Sequence, residues 1–281
     1  MLWSACLVPR GLEDIVKKSS VQELKNIKDV RRNAKALKNM CIYIVAFKEG
    51  KYPWKMLLVT HAKKPKGAFY FLPHDNENTA FDTAVYASQK YGGGFLAVMA
   101  NNKRYFRGQD PNRNFGHTHH TARVCSKQKY PAPLYSSNVF KIIDTFKSSS
   151  YPYMALHNNK NGHFGNGGSG GVSILRSSTL VKSYLAHKNI SKKTRALADE
   201  DALVYIAGTA SQPSKYKLQA LLGLGLNTRY EIVNKVSNDC SLSNYVVLTK
   251  GSRKYYNIEA QHGDLQTQKK MLDLMMKIIK G

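Results

Sequence analysis

Acidic residues are scarce in this 281-residue chain: 18 Asp and Glu stand against 43 Lys and Arg, a formal net charge of +25. Such a charge suits anionic partners, among them nucleic acid, an anionic membrane or cell-wall polymer, or an anionic small substrate, and equally a plain lysine-coated surface. Cysteine is scarce as well. Cys6, Cys41, Cys125 and Cys240 are scattered with no CxxC pair, which excludes a thiolate zinc ribbon and a dense disulfide framework and leaves one or two disulfides or free buried thiols. No apolar run approaches the roughly 18–20 residues of a membrane-spanning helix, so no transmembrane helix is expected. Neither an internal repeat nor a Gly-x-Ser-x-Gly elbow is present, and the glycine-rich stretch 165–171 lacks the Gly-Lys-Ser/Thr ending of a phosphate loop. The lysines are dispersed, without a zinc finger, an aromatic RNA-binding signature or a basic helix, which argues against nucleic acid as the partner.

The opening residues MLWSACLVPRG are too short for a complete signal peptide. Trp3-Ser4-Ala5-Cys6 nonetheless matches the tail of a lipoprotein signal whose front is missing. On that reading Cys6 is a lipoprotein cysteine, and a periplasmic or secreted location is favoured over a cytoplasmic one.

What is present is ample material for a core, with 42% hydrophobic and 10% aromatic residues. Residues 12–38 are charged, with Leu12, Ile15, Val16, Leu24 and Ile27 at rough helical spacing. From residue 41 the texture changes to short β-branched runs. CIYIVAF (41–47), MLLVT (56–60) and FYFL (69–72) read as strands, NTAFDTAVYASQKYGG (78–93) as a helix, and FLAVMA (95–100) as a strand. Further on, 139–147 reads as a helix, and 153–157, 202–208, 245–249 and 255–260 as strands. The tail 266–280 is an amphipathic helix with Met271, Leu274, Met275, Ile278 and Ile279 on one face. The pattern predicts an N-terminal helical or extended segment over 1–40. A single α/β domain follows over 41–281, with a mixed, mostly parallel sheet flanked by helices.

Four short stretches carry candidate chemistry. FYFLPHDNENT ends a strand in His74, Asp75 and Glu77; His-x-x-Glu in a turn is either a surface turn or two ligands of one metal ion. RYFRGQDPNRNF (104–115) crowds Arg104, Arg107 and Arg113 with Asp110 and Asn112. An Asn-Arg pair can grip a carboxylate through guanidinium and amide donors, and a basic loop held by Asp110 is the plainer alternative. ALHNN (155–159) ends a strand in His157, and NIEAQHG (257–263) sets Glu259 inside an apolar strand, where a carboxylate must be paired or functional. A rival cluster, His117, His119 and His120, lacks nearby acidic ligands and reads as pocket wall or surface.

In this order the set resembles the zinc carboxypeptidase superfamily, with spacing most similar to the succinylglutamate desuccinylase/aspartoacylase branch. The matching islands are His74-Asp75-Asn76-Glu77, Arg104-Tyr105, Asp110-Pro111-Asn112-Arg113, Ala155-Leu156-His157-Asn158 and Glu259-Ala260-Gln261, spread over about residues 41–264. Ala155 stands where the branch has aspartate, and residues 160–255 match nothing in it. The resemblance implies that His74, Glu77 and His157 bind Zn2+. It implies that Arg104 polarises the scissile carbonyl, that Asn112 and Arg113, with Arg107 beside them, bind the substrate carboxylate, and that Glu259 is the general base. The expected activity is zinc-dependent hydrolysis of an amide bond next to a free carboxylate. The substrate would be a peptide C-terminus, such as a bacterial cell-wall stem peptide, or an N-acyl amino acid. A non-catalytic protein holding an acidic polymer on the same scaffold is the alternative of a different class. The parts of Asp75 and of the 165–171 loop, a lid or an insertion, stay open at this level.

Overall fold

The computed structural model describes residues 6–116, 133–252 and 254–280. Among these residues ten strands form one sheet: β1 (Val16–Ser19), β2 (Met40–Glu49), β3 (Tyr52–His61), β4 (Phe69–Leu72), β5 (Gly94–Val98), β6 (Tyr153–Asn159), β7 (Val181–Tyr184), β8 (Leu203–Gly208), β9 (Thr228–Ile232) and β10 (Tyr255–Gln261). Their spatial order is β1-β2-β3-β5-β4-β6-β10-β8-β9-β7. The centre, β5-β4-β6-β10, pairs in parallel, as does β8 with β9, while the remaining neighbours are antiparallel. This is the mixed α/β architecture that the alternation of apolar runs and helical segments predicts.

Helices cover both faces. On one lie α1 (Lys28–Arg32), α2 (Ala34–Leu37), α3 (Asn78–Tyr91), α5 (Lys215–Gly223) and α7 (Leu265–Lys280); on the other lie α4 (Pro133–Phe146) and α6 (Leu242–Leu248). Because side chains alternate along a strand, each central strand feeds both cores. Tyr70 and Leu72 of β4 pack toward α3 and α7, and Phe69 and Phe71 toward α4. All four are buried, so FYFL reads as one continuous apolar run.

Several expectations need correction. The segment 12–38 is helical only over 28–32 and 34–37, and Val16–Ser19 is a strand paired with β2. Residues 245–249, β-branched enough to read as a strand, belong to α6. The side chain of Ser241 caps that helix by accepting from Asn244 N, while Leu242, Val246 and Val247 point into the core at helical spacing. Strands β1, β7 and β9 and helix α5 were not expected at all. Cys6 is disulfide-bonded to Cys41. Its sulfur is therefore engaged and cannot carry the thioether of a lipoprotein anchor, which removes that reading of Cys6. The cluster of His117, His119 and His120 lies outside the described residues. No helix among the described residues is long and apolar enough to cross a membrane.

Candidate functional site

Chain reversals place four polar residues at the carboxyl ends of the central parallel strands, the edge at which open α/β sheets gather their sites. Pro73 closes β4, His74 follows, and Glu77 immediately precedes α3. His157 lies in β6, and Glu259 is its partner in the parallel β10 ladder.

The ligand atoms of His74, Glu77 and His157 all lie within 4.8 Å of one another, and all three residues are buried. His74 Nδ1 is 2.7 Å from Glu77 Oε1, and His157 Nδ1 is 3.1 Å from Glu77 Oε2. Burial pushes the Glu77 carboxyl up, but the two imidazoles facing it outweigh burial and hold it well below the usual carboxylate range.

Three features fit a metal ion here. The donors are two imidazoles and a carboxylate, a set suited to zinc with an open position. The second nitrogen of His74, Nε2, lies 2.9 Å from Asp110 Oδ1, the carboxylate–histidine pairing that orients metal ligands. His157 Nε2 is buried with no hydrogen-bond partner among the described residues.

The frame around the three ligands is tightly bonded. Asn158 N donates to Glu77 Oε2 at 3.0 Å, and Ala80 N, in the first turn of α3, donates to Asn158 Oδ1 at 2.7 Å. Gln268 of α7, fully buried, donates to the His157 carbonyl at 2.8 Å. Asp75 accepts from Ala100 N (2.6 Å) and Asn102 N (2.7 Å), which answers the open question about it. It pins the chain leaving β5, where Asn101 and Asn102 adopt left-handed φ of 56° and 59°. That turn delivers Arg104, whose Nη1 is 3.2 Å from Glu77 Oε1 and whose Nη2 is 3.5 Å from Asp110 Oδ2.

The 110–116 segment is held from beneath. Phe115 is buried among Phe71, Tyr135, Phe140 and Tyr245, and Tyr135 Oη donates to the Pro111 carbonyl at 2.8 Å. Asp110 accepts from Asn112 N, fixing a short 3-10 turn over 111–113. Asn112 and Arg113 both reach the cavity wall, with some of their donors and acceptors already engaged. Asn112 Oδ1 accepts from Leu242 N, and Arg113 Nη1 donates to the Asn112 carbonyl. Arg113 Nε lies 2.9 Å from Asp239 Oδ2, an ion pair whose alignment falls short of a hydrogen bond. Arg107 is not brought in. A tight turn in which Phe106 and Gln109 exchange backbone hydrogen bonds, with Arg107 at φ 48°, leaves it exposed and off the cavity wall.

The other candidate site residues, His74, Glu77, Arg104, Asn112, Arg113, His157 and Glu259, line one cavity of about 780 Å³. Glu259 is 7% exposed; burial raises its pKa, against a lowering by the nearby His157, and Asn257 Nδ2 donates to its Oε1 at 3.0 Å. Tyr255, Asn257 and Glu259 share a strand face and all line the cavity. The glycine-rich stretch supplies a wall through Ser169, Gly170, Gly171 and Val172. It is stapled down: Glu200 accepts from His163 N, Asn166 Nδ2 and Ser173 Oγ, and Asp201 accepts from Gly162 N and Asn159 Nδ2. Sequence reasoning missed Glu231, Asp239, Ser241 and Ser243, which form the far wall. The one available signal was the alternation in TRYEI (228–232), which sets Glu231 on the same face of β9 as Arg229.

No protein-family model matches the chain, and no curated protein matches it by sequence. Among solved structures it is similar to a protein proposed to be a metallopeptidase from Shewanella denitrificans, at 10% identity and TM-score 0.45 over 97% of this chain and 99% of that one. It is also similar to bovine thrombin-activatable fibrinolysis inhibitor, solved in complex with tick carboxypeptidase inhibitor, at 13% identity and TM-score 0.41 over 94% of each chain. A third is succinylglutamate desuccinylase/aspartoacylase from Rhodobacter sphaeroides, at 9% identity and TM-score 0.43, over 86% of this chain and 65% of that one. At these scores the likeness assigns no residue a role.

Proposed function

We propose that the chain is a zinc-dependent hydrolase that cleaves an amide bond next to a free carboxylate, acting as a carboxypeptidase. The observation that carries this reading is the convergence of His74, Glu77 and His157 on the wall of a cavity that also holds Arg104, Arg113 and Glu259.

His74, Glu77 and His157 would hold the ion, with Asp110 fixing the ring of His74. When bound there, zinc supplies a Lewis acid and makes a water molecule acidic near neutral pH. Glu259, raised by its burial, takes a proton from the attacking water and returns it to the leaving amine. Arg104, held by Glu77 and Asp110, offers a fixed positive charge to the oxygen that becomes anionic in the transition state. Asn112 and Arg113 orient the substrate through its carboxylate. The Cys6–Cys41 disulfide favours an oxidising compartment, so the reading includes export.

The test is metal analysis of the purified protein together with a mass-spectrometric panel of peptides with free or amidated C-termini and of N-acyl amino acids. Close to one zinc per chain is expected, with release of a C-terminal amino acid only from free-carboxylate peptides. Glu259→Gln should keep the zinc and lose turnover by about 10²–10⁴-fold. Absence of both bound zinc and any stabilisation by added zinc overturns the reading. Turnover confined to N-acyl amino acids replaces carboxypeptidase by deacylase.

A further inference from the structure

The two helical layers of the sheet differ in charge. Residues 25–38, which contain α1 and α2, together with α3 and α7 carry eleven Lys and Arg against three Asp. The helices of the opposite layer, α4 and α6, carry one lysine and one aspartate. All three acids of the basic layer are already engaged. Asp29 and Asp82 pair with Arg32, and Asp273 pairs with Lys90. Nine basic side chains, among them the exposed Lys35, Lys270 and Lys277, therefore form no ion pair among the described residues.

Hydrogen bonds make this layer one surface. Arg32 Nη2 donates to the Asn78 carbonyl at 3.2 Å and joins α1 to α3; Gln89 Nε2 donates to the Ala36 carbonyl at 2.9 Å and joins α2 to α3. Between α3 and α7 the charges crowd. Lys90 and Lys269 stand over the Tyr86 ring, 5.1 and 4.9 Å from its centroid, and Lys280 stands 4.7 Å from that of Tyr91. The ring faces hold the ammonium groups there, and Asp273 accepts from Lys90. Like charges this close repel, and an anionic partner that meets them relieves the repulsion.

A second, independent observation lies at the sheet edge beside α2. A cavity of about 310 Å³ is lined by Val21, Leu37, Met40 and Ile42, with the exposed Lys18 and Lys38 on its wall. Leu37, Met40 and Ile42 belong to the core beneath the basic layer, so cavity and charges lie on the same side of the sheet. Lys38, directly after α2, belongs to both. Apolar walls with ammonium groups beside them suit a ligand with an apolar tail and an anionic head. A nucleic acid or a polymeric anion offers the lysines charge but has no such tail for the cavity.

We propose that the layer of α1, α2, α3 and α7 docks on an anionic lipid surface, with the cavity beside Lys38 admitting an acyl chain. The inference stands apart from the hydrolase reading and is compatible with it. The larger cavity lies along the α6 side of β10, where Ser243 and Tyr255 line it, so docking through the opposite layer leaves it open.

The test uses the full chain and sedimentation with vesicles of phosphatidylcholine, alone or with about a third phosphatidylglycerol. Binding is expected to the anionic vesicles only, falling at least about tenfold between low salt and about 0.5 M. The triple variant Lys35→Gln/Lys270→Gln/Lys277→Gln should weaken it at least about tenfold. The control Lys141→Gln/Lys235→Gln/Lys254→Gln, of equal charge and outside this layer, should stay within about twofold of wild type. In calorimetry, monomeric dihexanoyl-phosphatidylglycerol should bind at least about tenfold more tightly than glycerol phosphate. Ala62→Trp, which fills the cavity from a half-buried position on its wall, should remove that lead. No binding to vesicles, equal binding to neutral and anionic ones, or an equal loss in both triple variants overturns the docking surface. Binding to soluble polyphosphate with none to vesicles does so too, and would make the partner a polyanion. A short-chain lipid that binds no better than glycerol phosphate overturns the acyl site.

Discussion

His74 Nε2 and Asp110 Oδ1 lie 2.9 Å apart, across 36 residues of sequence. The pairing gives the ring of His74 one orientation and leaves Nδ1 facing Glu77, 2.7 Å away. It also raises the basicity of a ligand nitrogen, because a carboxylate that accepts the distal N–H pushes electron density into the ring. Asp110 is held well below the usual carboxylate range: burial raises it, and the hydrogen bond and charge of His74, with Arg104, outweigh that.

Asp110→Asn should therefore weaken zinc binding by about 10–100-fold while leaving the fold intact. The amide can still accept from Asn112 N, so the 111–113 turn has no reason to open. Chelator competition, with circular dichroism as the control, measures both. Unchanged zinc affinity would remove Asp110 from the metal centre.

The glycine-rich wall offers a matched pair of substitutions. A Cβ at Gly170 would stand 2.5 Å from the Lys160 carbonyl oxygen and 2.9 Å from that of Gly162, both backbone atoms that cannot step aside cheaply. A Cβ at the neighbouring Gly171 meets nothing within 4 Å. Gly170→Ala should displace the wall formed by 169–172, raising KM several-fold and lowering stability by about 1–3 kcal/mol. Gly171→Ala should leave both unchanged. Equal behaviour of the two variants would mean that the loop does not hold this form around the cavity.

Much of the centre of the sheet was legible because its residues are locally consistent. FYFL is uninterrupted and ends at a proline, and the alanine-rich stretch from Asn78 stops at Gly92 and Gly93. His74, Glu77, His157 and Glu259 are readable as candidates because each sits in or just after such an element and their order resembles that of the zinc carboxypeptidase superfamily. What was not legible depends on partners distant in sequence. The run 245–249 has strand composition, yet the Ser241 cap and the burial of Leu242 and Val246 make it a helix. Arg107 looked equivalent to Arg104 and Arg113 until a local turn separated it from them. The pairing of Cys6 with Cys41 follows from residues near the N-terminus packing beside the start of β2, which no cysteine spacing encodes. Glu231 sits in a five-residue strand that exists because β7 and β8 flank it.

That disulfide makes the N-terminal segment testable. It closes a sequence separation of 35 residues, and restricting an unfolded loop of that size is worth about 3–4 kcal/mol in the chain-entropy account. The double variant Cys6→Ala/Cys41→Ala should lose stability of that order in denaturant unfolding, with an undiminished zinc content. Reductant should lower the stability of the wild-type protein by more than that of the variant, which keeps only the disulfide at Cys240.

The staple beneath the glycine-rich wall should impose a pH dependence of definite sign. Asp201 is fully buried, and its pKa is raised to about 7 by that burial, with Asp199, Glu200 and Glu259 adding to the rise against the hydrogen bond from Gly162 N. In the unfolded chain an aspartate ionises near 4. Between those two values the folded protein holds a proton that the unfolded chain has released, so stability falls as pH rises from about 4 to about 7 and then levels off. Asp201→Asn cannot titrate. The stability of wild type relative to this variant should therefore decline across that window, by on the order of 2 kcal/mol, less than the full shift implies because Asp199 titrates alongside it. Urea unfolding of both proteins at intervals from pH 4 to pH 8 reads the difference directly. Parallel curves throughout would show that Asp201 ionises normally. A difference that grows in favour of wild type as pH rises would mean that its charge is stabilised in the fold by the donors of the loop it holds.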